Sequence, residues 1–177
     1  MTLYLDTNIF LARYAPHEPH HIEAKTLLQK IEKGEIKAVT STLTLIEVAC
    51  TTSRAYDRLT DKTTPLNREE IIGAFLKRLV NTRNLDFIPL GGEVSTSVGE
   101  QDVKIPAVYA VALEIASKTA LKTLDTLHIA SAMIASQLYG QNISLFVTLD
   151  EGILKHHKEI MSISEIRVTS PDNLYET

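Results

Sequence analysis

Four acidic residues sit where an ordinary surface charge would not. Asp6 ends the apolar run Leu3-Tyr4-Leu5, and Asp150 follows the strand-like run Ile143 to Val147 and Thr148-Leu149. Glu47 is the only charge among Leu43, Leu45, Ile46, Val48, Ala49 and Cys50. Asp125 opens the stretch Thr126 to Gln137, which carries no acidic or basic residue except His128. Each has an ordinary reading: a turn or helix cap for Asp6, Asp125 and Asp150, a solvated position for Glu47. Their joint occurrence points elsewhere. If the strands before Asp6 and Asp150 are parallel, both acids stand at one carboxyl edge of a sheet. The helices carrying Glu47 and Asp125 then begin at that same edge, because helices that follow parallel strands start there. Carboxylates gathered this way raise one another's pKa, and hard divalent cations relieve the repulsion. An all-oxygen ligand set suits Mg²⁺ or Mn²⁺, and the chemistry it supports best is metal-assisted hydrolysis of a phosphodiester.

The elements that must position these acids follow from the hydrophobic pattern. Thr2 to Leu5, Ile36 to Val39, Leu85 to Leu90, Ile143 to Val147 and Ile166 to Val168 read as strands. Helical spacing runs through His20 to Gly34, where Ile22, Ala24, Leu27, Leu28 and Ile31 make a stripe, with Gly34 as a C-cap. It returns from about Thr42 to Arg54, with Thr40, Ser41 and Thr42 offering cap oxygens, and after Asn67-Arg68-Glu69-Glu70. Pro106 to Ser117, Thr123 onward and Glu151 to Lys158 read as further helices. Asp57 to Leu66 reads as a loop, and Gly91 to Lys104 as a loop or irregular insertion. Strands alternating with helices predict an α/β fold around a parallel sheet.

The 177 residues make one domain (1–177), long enough for a real core. Composition is that of an ordinary globular chain, 44% hydrophobic and 23% charged. A net charge of −4 argues against coating nucleic acid by bulk electrostatics. No apolar run is long enough to span a membrane, and no signal peptide is recognised. The single cysteine, Cys50, excludes an intramolecular disulfide and a cysteine zinc cluster, so a cytoplasmic setting is expected. Cys50 reads as a small core residue.

The segments Leu5-Asp6-Thr7-Asn8, Leu45-Ile46-Glu47-Val48-Ala49, Leu124 to Ala132 and Val147-Thr148-Leu149-Asp150, in that order, resemble the motifs of PIN-domain ribonucleases, including the VapC toxins of prokaryotic toxin–antitoxin pairs. The likeness spans Leu3 to about Val168. It implies a three-layer α/β/α fold with a parallel five-stranded sheet in the order 3-2-1-4-5. It also implies Mg²⁺ or Mn²⁺ as cofactor and RNA as substrate, cut to a 5′-phosphate and a 3′-hydroxyl. By the same resemblance Asp6, Glu47, Asp125 and Asp150 take the metal-ligand and catalytic positions, with Asn8 and Thr148 in support. Glu47 either ligates or acts as a general base. An antitoxin partner and a homodimer are implied likewise. The chain is longer than a typical toxin of the family, and the additions read as insertions near 53–66 and 91–105.

Other residues were weighed against plainer roles. His17, His20 and His21 lack enough companions for a transition-metal site, and a polar helix start is preferred. His128 is read as a satisfied histidine in the packing rather than a group that orients an acid. Lys155, His156 and Lys158, close after Asp150, are candidate phosphate contacts or simply a solvated face. Two other function classes stay open beside the endoribonuclease: a PIN-like module that binds RNA or protein without cutting, and a DNA nuclease or phosphatase on the same acids.

Overall fold

Residues Thr2–Leu5 form β1, buried along its whole length, as a central parallel strand covered on both faces must be. The computed structural model describes residues 2–59 and 66–175. β1 lies between β2 (Lys37–Ser41) and β6 (Ile143–Val147); β3 (Leu85–Ile88) and β7 (Arg167–Thr169) are the outer strands. The order is β3-β2-β1-β6-β7 and every pairing is parallel. Counted within this sheet alone, that is the expected order 3-2-1-4-5.

Period-2 alternation divides the core into two layers. Leu3 and Leu5 point to one face, where they meet Ile9 of α1 (Thr7–Tyr14), Leu28 and Ile31 of α2 (His21–Glu32), Val48 of α3 (Leu43–Arg54) and Leu79 of α5 (Arg68–Val80). Tyr4 and Phe146 point to the other, against Ile115 of α6 (Ala107–Ala116), Ile129 of α7 (Thr123–Leu138), Ile153 of α8 (Glu151–Lys155) and Ile160 of α9 (His157–Ser164). Asn67 closes a reciprocal capping box with Glu70 at the start of α5. No helix among the described residues is long and apolar enough to cross a membrane.

Several expectations are corrected. Gly91 to Ile105 is not a loop: Glu93–Val98 (β4) and Gln101–Pro106 (β5) form an antiparallel hairpin. Its apolar residues alternate with polar ones over few positions, which hides a strand pair in a Ser- and Thr-rich stretch. Within the segment near 53–66, Ser53 and Arg54 finish α3 and Tyr56–Leu59 is a short helix, α4. Residues 60–65 of it lie outside the described residues. The helix after Asp150 breaks at His156 and resumes as α9.

Only part of the apolar run of α3 is buried, Leu43 and Val48 among it. Thr44, Val48 and Thr52, four residues apart, face inward, whereas Ile46 and Cys50, about 200° round from Thr44 and Val48, are exposed. Thr44 tolerates burial because its hydroxyl lies 2.7 Å from that of Thr40, which in turn donates to Leu5 O at 2.8 Å. Thr40 and Ser41 therefore belong to β2 rather than to a helix cap. The same rotation leaves Glu47 at the border of the buried face.

Candidate active site

The parallel register decides where the acids stand. Leu5 pairs with Val147, and the Asp6 amide donates to Val147 O at 3.0 Å. Asp6 and Thr148 thus leave adjacent strands at the same edge, and the helices of Glu47 and Asp125 begin there too. Asp6 is 6% exposed, and both its carboxylate oxygens accept hydrogen bonds from the chain. Oδ1 accepts from Thr7 N at 2.7 Å; Oδ2 accepts from Asn8 Nδ2 at 2.7 Å and Thr148 Oγ1 at 2.6 Å. Asn8 Nδ2 also reaches Thr148 Oγ1 at 3.0 Å, and its Oδ1 accepts from Leu149 N at 3.0 Å. Asn8 and Thr148 therefore stitch the end of β1 to the end of β6 and aim Asp6 between them.

Asp150 caps α8, accepting from Gly152 N at 2.6 Å and Ile153 N at 3.4 Å. A Cβ at Gly152 would come 2.8 Å from Asp150 Oδ1, so a side chain there would make the Asp150 carboxylate shift. Asp125 lies in the first turn of α7, half-buried, with no hydrogen bond to its carboxylate among the described residues.

Glu47 reaches the group through two donors. Thr7 Oγ1 and His128 Nε2 each lie 2.5 Å from its Oε2. His128 is 2% exposed; its Nδ1 lies 2.9 Å from the Tyr4 hydroxyl, and its Nε2 is 3.8 Å from Asp6 Oδ1. A carboxylate only accepts, so Nε2 carries a proton. His128 thus proves to be both a satisfied core histidine and the group that orients an acid.

Electrostatics separate the four acids. Burial raises the Asp6 pKa, and nearby Glu47 adds to this, against the opposing pull of His128 and Thr148. Burial would also raise Glu47, but the hydrogen bond and charge of His128, with the Thr7 hydroxyl, hold it below the ordinary range. Burial would lower His128; the hydrogen bond to Glu47 and the charges of Asp6, Glu47 and Asp125 raise it instead. Asp125 is raised by burial, then by Asp150 and Asp6. A depressed Glu47 is a weaker proton acceptor and stays an anion to lower pH.

This donor set fits a hard divalent cation. It is all oxygen, two of its acids are raised partly by like charge, and a cation relieves that repulsion. No three of the four acids bring oxygens within 4.8 Å of one another; among the described residues that spacing occurs only at exposed His20, half-buried Glu23 and exposed Asp172. Beside its sequence neighbour Glu23, His20 therefore has one further acidic companion, Asp172, far along the chain. Of the candidate phosphate contacts, Lys155 and Lys158 are exposed, and Lys155 Nζ lies 3.5 Å from Glu151; His156 sits at the break between α8 and α9.

The PIN domain family model matches residues 3–160. The chain belongs to the PIN-domain family. PIN domains are generally nucleases that use divalent metals. A solved structure, VapBC2 from Rickettsia felis bound to a DNA fragment from their promoter, contains a chain of the same fold, with a TM-score of 0.58 at 14% identity over 96% of this chain and 98% of that one. No curated protein matches by sequence. Thr7, Tyr4 and Gly152 carry no site role in the sequence reading, and His128 carries only a packing role there. Thr7 lay between the two residues that drew attention. His128 was visible as the one titratable side chain between Thr126 and Gln137.

Proposed function

We propose that this chain is a divalent-metal-dependent endoribonuclease of the toxin–antitoxin type. The observation that carries the reading is the convergence of Asp6, Glu47, Asp125 and Asp150 on the edge where β1 and β6 end side by side. Asp6, Asp125 and Asp150, with Glu47, would hold Mg²⁺ or Mn²⁺, which supplies an activated water and charge neutralisation for phosphodiester hydrolysis. The chain's own residues do the positioning. Asn8 and Thr148 fix the Asp6 carboxylate against rotation, and Gly152 N does the same for Asp150. Thr7 and His128 keep Glu47 ionised and aimed at the group. Tyr4 holds His128 by its second ring nitrogen. Lys155, His156 and Lys158 follow Asp150 closely enough to meet the RNA backbone.

An antitoxin is the partner this reading calls for, and the likeness to VapBC2 supports it. An apolar groove lined by Leu11, Tyr14, Ala15, Phe75 and Leu149 opens beside Asn8 and offers a protein segment a seat next to the acids.

The test is cleavage of defined RNAs with Mg²⁺, Mn²⁺ or EDTA, wild type against Asp6→Asn. The wild type should cut only with metal, and Asp6→Asn should lose about a hundredfold or more in rate while its circular dichroism is unchanged. Equal cleavage by Asp6→Asn in Mn²⁺ would sink the assignment. Preferential cutting of DNA or of phosphomonoesters would move it to another substrate class.

A further inference from the structure

We propose that the outer edge of β4 is a self-association surface: it pairs antiparallel with β4 of a second copy about a two-fold axis at Thr96. The hairpin β4–β5 stands outside the main sheet, and each strand pairs only with the other. Packing on α6 supports the pair, and a further strand on its free edge would extend it to a larger sheet.

The direction of each backbone group follows from Pro106. It has no N–H, so its pairing with Glu93 is a non-hydrogen-bonded one. The next pair out is bonded, with Ala107 N donating to Gly92 O at 2.8 Å. Alternation then turns Val94, Thr96 and Val98 toward Ile105, Val103 and Gln101, and leaves the N–H and C=O of Glu93, Ser95 and Ser97 facing outward. Outside the hairpin, no backbone group of these three residues bonds to another among the described residues.

The two edges differ. The outer edge of β5 carries Asp102, Lys104 and Pro106, the residue types that block addition of a strand. From Val94 to Val98, β4 has neither a charge nor a proline. Its even-numbered residues share one face with Val103 and Ile105, and Val94 and Val98 on that face are 38% and 54% exposed. Ile105 continues this apolar surface into a groove with Tyr109 and Leu113 of α6.

The occupant is a second copy because the edge complements itself. A partner strand must set even positions against even ones to keep the apolar faces together. With the axis at Thr96, threonine meets threonine, Val94 meets Val98 of the second copy, and Ser95 meets Ser97. The outward groups of Ser95 and Ser97 then form the bonded pairs, while Thr96 sits in the non-bonded pair on the axis. Such Val–Val and Thr–Thr pairs are favourable, and no like charges are opposed. Moving the axis to Ser95 or Ser97 sets Val98 against Gly92 or Val94 against Glu100 and so separates the valines. The product is a four-stranded sheet, β5-β4-β4-β5, with one continuous apolar face.

Sedimentation and light scattering over a range of concentrations test this, together with cysteine cross-linking. The wild type should form a dimer, and Ser95→Pro, which removes an N–H the hairpin does not use, should raise the dimer dissociation constant about tenfold or more. In a Cys50→Ala background, Thr96→Cys should form a disulfide-linked dimer on mild oxidation, whereas Ser95→Cys, which faces Ser97 rather than itself, should not. If Ser95→Pro misfolds by circular dichroism, the cysteine pair decides. A wild type that stays monomeric, as it would if the edge were reserved for a strand of another protein, overturns the proposal. So does a dimer in which Thr96→Cys cross-links no better than Ser95→Cys.

Discussion

The acidic edge has two halves that the fold treats differently. In the closed half, Asp6 and Glu47 are held by hydrogen bonds from Thr7, Asn8, Thr148 and His128, and these acids in turn raise the pKa of the buried His128. In the open half, Asp150 is held by two backbone amides, and Asp125 accepts no hydrogen bond among the described residues. The pKa directions differ accordingly: Glu47 is held down against its burial by His128 and Thr7, while Asp125 is pushed up by burial and by its acidic neighbours. The closed half is organised before any ligand arrives. The open half keeps an unrelieved repulsion that a bound cation would remove. A nuclease reading requires both, since a rigid anchor fixes geometry and an unsatisfied pair of acids supplies affinity.

Removing His128 should have the largest effect on folding. His128→Asn leaves Glu47 ionised without its partner and breaks the bond to Tyr4. Loss of one member of a buried pair costs about 3–5 kcal/mol, and the partial solvent access of Glu47 brings the expected loss to about 2–3 kcal/mol. Urea unfolding in EDTA measures it, and pH gives the signature. His128 has a raised folded pKa, so its contribution is fully present below its ordinary value of 6.5 and is lost as pH rises through the folded value. Glu47 has a depressed folded pKa, so its contribution is present above its ordinary value of 4.5 and is lost as pH falls through the folded value. The wild type should outlast the variant most between about pH 4.5 and 6.5, and the gap should narrow on either side. A pH-independent gap would mean that His128 acts by packing alone.

These two halves were not equally legible in the sequence. Asp6, Glu47, Asp125 and Asp150 stood out because a lone acid beside an apolar run is a local signal, and the strand–helix alternation gave the parallel sheet that gathers them. The inner bonds were hidden because they join positions far apart: Tyr4 and His128 are separated by 124 residues, Thr7 and Glu47 by 40. Tyr4 read as one more apolar strand residue, and its hydroxyl mattered only once β1 lay beneath α7. Gly152 gave no signal because its role is a close approach within α8 rather than a turn. The hairpin failed for another reason: a strand pair that faces solvent on most positions lacks the apolar run by which buried strands announce themselves.

A smaller effect is expected from crowding the better-held acid of the open half. In Gly152→Ala the new Cβ would lie 2.8 Å from Asp150 Oδ1, so the carboxylate must rotate off its bond to the residue 152 amide. Alanine otherwise suits a helix, and its φ is not restricted here, so folding should change by less than about 1 kcal/mol. The expected result is a fall in cleavage of about tenfold with unfolding nearly unchanged. Raising the Mn²⁺ concentration should recover part of the loss. Full activity in Gly152→Ala would show that the orientation of Asp150 is not set by this amide.

The smallest effect has the most informative sign. Asp125→Asn removes the repelled charge from the open half and keeps the shape of the side chain. Because the folded pKa of Asp125 is raised above its ordinary 3.8, its ionised form costs folding stability at pH 7. The carboxylate is partly exposed and also gains from the start of α7, so solvent screening and the helix dipole reduce that cost to about half a kcal/mol or less. In EDTA the variant should therefore melt at the wild-type temperature or slightly above it. With saturating Mn²⁺ the order should reverse, since the wild type binds the cation more tightly and gains more by mass action. Such a crossing separates a ligand-binding acid from a helix-capping one. A capping Asp125 would make Asp125→Asn the less stable protein in EDTA, with no added difference when Mn²⁺ is supplied.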